Sequence, residues 1–186
     1  MGLDMFVFKI DPPSDDPNVK YTYNELSSRG YDLLEDHYMQ MSSYNDLREL
    51  AVPFTVVETT YDFAKLQADF GFACYPHVKK GENGEIIFSY GQKSVSLKGQ
   101  KLGKYIVLKE LIYWAFFAKE IAYWRKDYDL CDAIHRSFED DGCHVENCGY
   151  HKLTVNQIKT IQDTAHKLKV NLWQYPDDSL FYFESY

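Results

Sequence analysis

From Lys104 to Asp141 the chain contains neither glycine nor proline, and within that span residues 108–138 read LKELIYWAFFAKEIAYWRKDYDLCDAIHRSF. A run this long and this aromatic must be buried against something, so it limits what the remaining sequence can fold into. At about 100° per residue, Tyr123, Trp124, Leu130, Ile134 and Phe138 share one broad side of a helix. Arg125, Lys126, Asp129, Asp132 and Arg136 share the other. That is an amphipathic helix turned to a core. Residues 111–118 are apolar all round, as in a helix at the centre of a domain. The expectation is a long central helix over 108–138, straight or bent.

Glu120, Asp127, Cys131 and His135 fall within the apolar half of that wheel. A buried charge is costly unless paired or hydrogen-bonded. One reading makes these residues a site wall, an enzyme or metal-supported face with carboxylates and an imidazole at turn spacing. The other makes them a half-exposed face whose acids pair with nearby Lys and Arg.

The flanking sequence supplies strands and shorter helices. Residues 2–10 alternate as a strand, and residues 11–18, with three prolines, form a loop. Residues 32–41 read as a short helix. Ser43 reads as the N-cap of a helix over 44–50 that Pro53 stops. Residues 54–60 are β-branched and read as a strand, and residues 62–69 as a helix ended by Gly71. Asn83-Gly84 and Gly91-Gln92 each separate strand-like runs, which predicts an antiparallel meander over about residues 75–108. Thr154-x-x-Gln157 is a capping box opening a helix over 155–168. Pro176-Asp177-Asp178 reads as a turn before a last strand over 180–183. The fold class expected is α+β: an antiparallel sheet, from the meander with the N- and C-terminal strands, packed on the central and C-terminal helices in a single domain over 1–186.

The net charge of −8 and pI near 5.2 argue against direct nucleic-acid binding, which needs a basic footprint. The same acidity suits a basic protein partner, or plain solubility. Sixteen tyrosines suggest amphipathic surface of the kind found at interfaces, including self-association into a homo-oligomer. The N-terminus has no basic-then-apolar signal, and Phe6 stands where a myristoylation motif needs Ser or Thr. No apolar run is long enough for a membrane helix. A cytoplasmic location is expected.

The four cysteines, Cys74, Cys131, Cys143 and Cys148, then read as free thiols or metal ligands. Cys131 and His135 stand at i, i+4, a spacing that lets two side chains share an ion. A composite zinc site of Cys131, His135, Cys143 and Cys148 is one reading, although the Cys143-His144-x-x-x-Cys148-x-x-His151 spacing fits no standard finger. Small buried or loop residues are the other. Neither a phosphate-binding glycine loop nor a G-x-S-x-G elbow is present, so no reaction is assigned and no cofactor is required.

Three segments resemble a family of small uncharacterised proteins of bacteriophages, prophages and bacteria. They are Met1-Gly2-Leu3-Asp4-Met5, then Glu120-Ile121-x-Tyr123-Trp124-Arg125-Lys126 with Ala133-Ile134-His135 and Phe138, and Asn147-Cys148-Gly149-Tyr150. The family's Tyr-Trp-Arg-Lys and Ile-His segments stand closer together; here residues 127–130 add about one helical turn. The resemblance implies a phage or prophage setting and no known reaction. It marks Trp124, Arg125, His135 and Cys148 as positions for binding. Together with the acidity, it points to an accessory protein that binds a host protein, for example one in a defence or nucleic-acid-processing machine.

Overall fold

The computed structural model describes residues 2–166, 168–176 and 179–186. In chain order its elements are β1 (Asp4–Asp11), α1 (Tyr23–Ser28), β2 (Asp32–Glu35), β3 (Val52–Tyr61), α2 (Phe63–Phe70), β4 (His77–Lys80), β5 (Ile86–Tyr90) and β6 (Lys93–Leu97). There follow the one-turn α3 (Gln100–Gly103), β7 (Ile106–Arg125), α4 (Tyr128–Asp140), β8 (Tyr150–Lys152), α5 (Val155–Thr164) and β9 (Leu180–Ser185). The α+β class with antiparallel pairing holds. Of the turn expected at Pro176-Asp177-Asp178, Asp177 and Asp178 lie outside the described residues.

The long central helix does not form. Its residues 108–125 belong to the 20-residue strand β7, and only Tyr128–Asp140 is helical. Strand β7 pairs with β1 on one side and β2 on the other. Over residues 113–116 both of its faces are covered: Trp114 and Phe116 pack in one cluster, while Tyr113 and Ala115 are buried on the opposite face. A strand buried on both faces loses the alternation that marks strands and keeps only the apolar richness that strand and helix share. A bulge adds to this. Val7 pairs with Ala122 but Phe8 with Glu120, leaving Ile121 extra. Even-numbered residues therefore change face, so that Phe116 and Trp124 lie in different clusters. The switch to helix is local. Lys126 takes a left-handed φ of 58°, and the Asp127 carboxylate then caps α4, accepting from the Leu130 N–H at 3.2 Å.

The chain divides into two compact units, Met1–Val56 with Ile112–Tyr186 (unit 1) and Val57–Leu111 (unit 2). Strands β3 and β7 run through the junctions, so no linker marks them. The large sheet has the order β2-β7-β1-β9-β8, with β3 also on β7. In unit 1, Met5, Val7, Leu180 and Tyr182 turn one sheet face to Leu130, Ile134 and Phe138 of α4 and to Ile158 and Ile161 of α5. Ile10, Phe116 and Phe181 turn the other face to Met39, Leu47 and Ala51.

The segments expected as helices over 32–41 and 44–50 contain no α-helix. Residues 32–35 are β2, held to β7, and Trp114 Nε1–H donates to Asp36 at 2.8 Å. Ser42–Tyr44 and Asp46–Glu49 are 3₁₀ turns, and Pro53 lies inside β3. Helix α1, unexpected, opens with a reciprocal capping box between Thr22 and Glu25. Helix α5 opens with the expected Thr154–Gln157 box but ends at Thr164, four residues early.

Unit 2 is the meander β4-β5-β6 with α2 and α3. Its core is Leu66, Phe72, Phe88, Leu97 and Tyr105. Helix α2 ends at a left-handed Gly71, as expected, while Asp62, expected as its first residue, is its N-cap.

Candidate functional site

Strand β9 alternates strictly. Leu180, Tyr182 and Glu184 point toward α4, while Phe181 and Phe183 point away. The third inward position thus places a carboxylate in an apolar layer, and Glu184 is 0 % exposed. Three side chains converge on it. His135 Nε2 lies 3.1 and 3.0 Å from its two oxygens, the Tyr182 hydroxyl donates at 2.8 Å, and the Cys131 thiol donates at 3.7 Å. Cys131 and His135 come from successive turns of α4. The strand end itself is pinned by the Cys148 N–H, which donates to the Glu184 carbonyl at 2.7 Å.

Burial, followed by the adjacent Glu184 carboxylate, pushes the Cys131 thiol up to about 12. The same two causes raise Tyr182 well above the ordinary phenol range. Both groups are therefore neutral donors at physiological pH. A thiol held protonated, with the imidazole Nε2 turned to Glu184 and not to sulfur, is not arranged as a cysteine nucleophile and its base. Among the described residues, Cys131, His135 and Glu184 are the group whose ligand atoms, all within 4.8 Å of one another, could hold a metal ion.

The expected positions are thus partly gathered. Cys131 and His135 share the cluster, as their spacing implied. Asp127 is a helix cap, with His166 Nδ1 at 3.8 Å. Glu120 is exposed on β7 opposite Phe8. Trp124 is 8 % exposed and belongs to the core, and Arg125 lies 3.8 Å from Asp4 at the surface. Cys143 and Cys148, expected as ligands, lie outside the cluster. The Cys143 thiol faces the Asp141 carbonyl at 3.9 Å and the Cys148 thiol faces Asn147 at 3.6 Å.

The Asn147-Cys148-Gly149-Tyr150 segment ties down the end of β9 through the Cys148 N–H and the Asn147 side chain. Asn147 Oδ1 accepts from the Tyr186 N–H at 3.2 Å, and Cys148 holds a left-handed φ of 60°. A Cβ on Gly149 would stand 2.8 Å from His151 Nε2 and 2.9 Å from Ser43 Cβ. Beside it, His151 is buried, with its Nε2 2.9 Å from the Glu146 backbone nitrogen and 3.2 Å from the Glu146 carbonyl. His151 and His144 line a recess of about 630 Å³ with Asp46, Phe138, Asp141 and Cys143.

Sequence reading missed Glu184 and Tyr182. The signal available was a carboxylate in register with the inward side of an apolar strand.

Comparison with family profiles, with curated proteins and with solved structures finds no match to this chain. No helix among the described residues is long and apolar enough to cross a membrane.

Proposed function

We propose that the protein acts by binding another protein, through the acidic surface of unit 1, and that the partner presents a basic segment there. One observation carries this reading. Residues 57–111 hold eight lysines and six carboxylates, a net of +2, so the chain's −8 leaves −10 on unit 1. Helix α4 concentrates that charge, with Asp129, Asp132, Glu139 and Asp140 all exposed. Glu139 and Asp140 stand in its last turn, where no basic residue accompanies them and the helix dipole disfavours carboxylates. Helix stability does not account for them.

Alongside lies a groove of about 490 Å³ whose lining includes Arg136, Asp140, Asp141, Lys159 and Asp163. A surface dominated by one sign steers encounter with its opposite and weakens as salt rises. In the setting that the phage-family resemblance implies, the partner is a host protein of a defence or nucleic-acid-processing machine, met in the bacterial cytoplasm. The test is capture by the tagged full chain from phage-infected and uninfected bacterial lysates at two salt concentrations, read by mass spectrometry. A stoichiometric partner lost at the higher salt is expected. A partner held equally at both, or none in either lysate, would overturn the reading.

A further inference from the structure

We propose that Cys131, His135 and Glu184 form a binding site for a divalent transition metal of the zinc class, with a fourth position filled by water. The proposal stands on the α4–β9 cluster and not on the acidic surface.

The geometry is close to what an ion requires. A tetrahedral ion with bonds of about 2.0–2.3 Å holds its ligand atoms roughly 3.3–3.6 Å apart. Here Sγ stands 3.7 Å and Nε2 stands 3.0 Å from the same Glu184 oxygen. All three ligand atoms lie within 4.8 Å of one another, so side-chain shifts of up to about an ångström would seat the ion. The backbone already fixes the directions. The i, i+4 spacing on α4 presents sulfur and nitrogen from one side, and the inward register of β9 presents oxygen from the other.

The surroundings also resemble those of a metal site. The Tyr182 hydroxyl, 2.8 Å from Glu184 Oε2, fixes the carboxylate as outer hydrogen bonds fix metal ligands. The His135 side chain is 35 % exposed, which places the cluster at the protein boundary, where water can complete the coordination.

The competing account is a buried carboxylate that accepts from Tyr182 and Cys131 and contacts His135 with no ion between them, and metal titration separates the two. The donor set of one thiolate, one imidazole and one carboxylate suits a borderline-soft ion such as zinc better than magnesium or calcium. On binding, the metal–sulfur bond replaces the S–H bond and the thiol proton leaves to solvent. His135 binds through Nε2 with its remaining proton on Nδ1. No oxidation state changes, and affinity rises with pH because protons are released.

The test is titration of the full chain with cobalt(II) as a spectroscopic stand-in, followed by zinc. One equivalent of cobalt is expected to give a thiolate-to-cobalt charge-transfer band, and zinc is expected to bleach it. Cys131→Ser is expected to abolish that band. His135→Gln, at a half-exposed position, is expected to weaken cobalt binding at least about tenfold while circular dichroism shows the fold intact. Cys143→Ser is expected to leave both readings unchanged. A wild-type chain without the band, or a band that survives Cys131→Ser and disappears with Cys143→Ser, would overturn the proposal. Neither outcome bears on capture of a protein partner, so the two readings fail separately.

Discussion

The two units differ in how far apart in the chain their partners lie. In unit 2 the sheet order β4-β5-β6 follows the sequence, and each strand meets the next across a short turn, such as Tyr90 against Lys93. In unit 1 the order β2-β7-β1-β9-β8 joins residues from opposite ends of the chain, as where Phe6 pairs with both Tyr123 and Phe183. Local pairing needs little loop closure and leaves its mark in turn residues. Long-range pairing closes large loops and is held by burial on both sheet faces. The charge divides in the same way, and so does the chemistry, because the Cys131–His135–Glu184 cluster belongs to unit 1.

Four changes would break or sharpen that contrast. The largest effect is expected from Phe88→Ala, which empties a 0 % exposed position at the centre of the unit 2 core. A loss of about 3–5 kcal/mol is expected, with amide exchange rising first across residues 57–111. A uniform rise over the whole chain would contradict the division into units.

Next is Glu184→Ala, which removes the shared acceptor of Tyr182 and His135. It is expected to lower stability by about 3 kcal/mol in denaturant, with exchange rising in α4 and β9. A loss below about 1 kcal/mol would show that the carboxylate is not what ties strand to helix.

Gly149→Ala is expected to destabilise by about 1–3 kcal/mol, because its Cβ meets His151 and Ser43 below 3 Å. A neutral result on thermal unfolding would mean that the loop yields.

The last effect concerns pH, where solvent at the half-buried Cys131 damps the response. The folded Cys131 thiol titrates at about 12 against an ordinary 9.0. A raised folded pKa gives stability that is complete below the unfolded value and lost as pH rises through the folded one. Unfolding free energy is therefore expected to fall between pH 9 and 12, and less steeply in Cys131→Ala. Identical slopes would remove the thiol from its buried place. Tyr150, also raised by burial, adds to the slope of both proteins alike, whereas part of the rise at Tyr182 comes from Cys131 and leaves with it.

The same contrast explains what the sequence could reveal. The Gly71 end of α2, the hairpin turns at Gly84 and Gly91, the alternation of β1 and the capping box of α5 are short-range signals, and each was readable. Strand β7 was not. With Tyr113 and Ala115 buried on one face, Trp114 and Phe116 on the other, and a bulge at Ile121, it shows no period of two, and its apolar content fits a helix equally well. Nor did any local signal show that residues 32–35 would be drawn onto β7 as a strand. Half of the cluster followed from the i, i+4 spacing of Cys131 and His135. The other half, Glu184, lies 49 residues beyond His135, and only the sheet register of β9 brings it back.

Partner capture by two charge variants of the full chain bears most directly on where function resides. One, Asp129→Asn with Asp132→Asn, Glu139→Gln and Asp140→Asn, neutralises the outer face of α4. The other, Lys79→Gln with Lys80→Gln, Lys101→Gln and Lys104→Gln, neutralises exposed lysines of unit 2. Capture from lysate is expected to be lost with the first variant and kept with the second. Capture kept by the first, or lost only with the second, would contradict an acidic binding surface on unit 1.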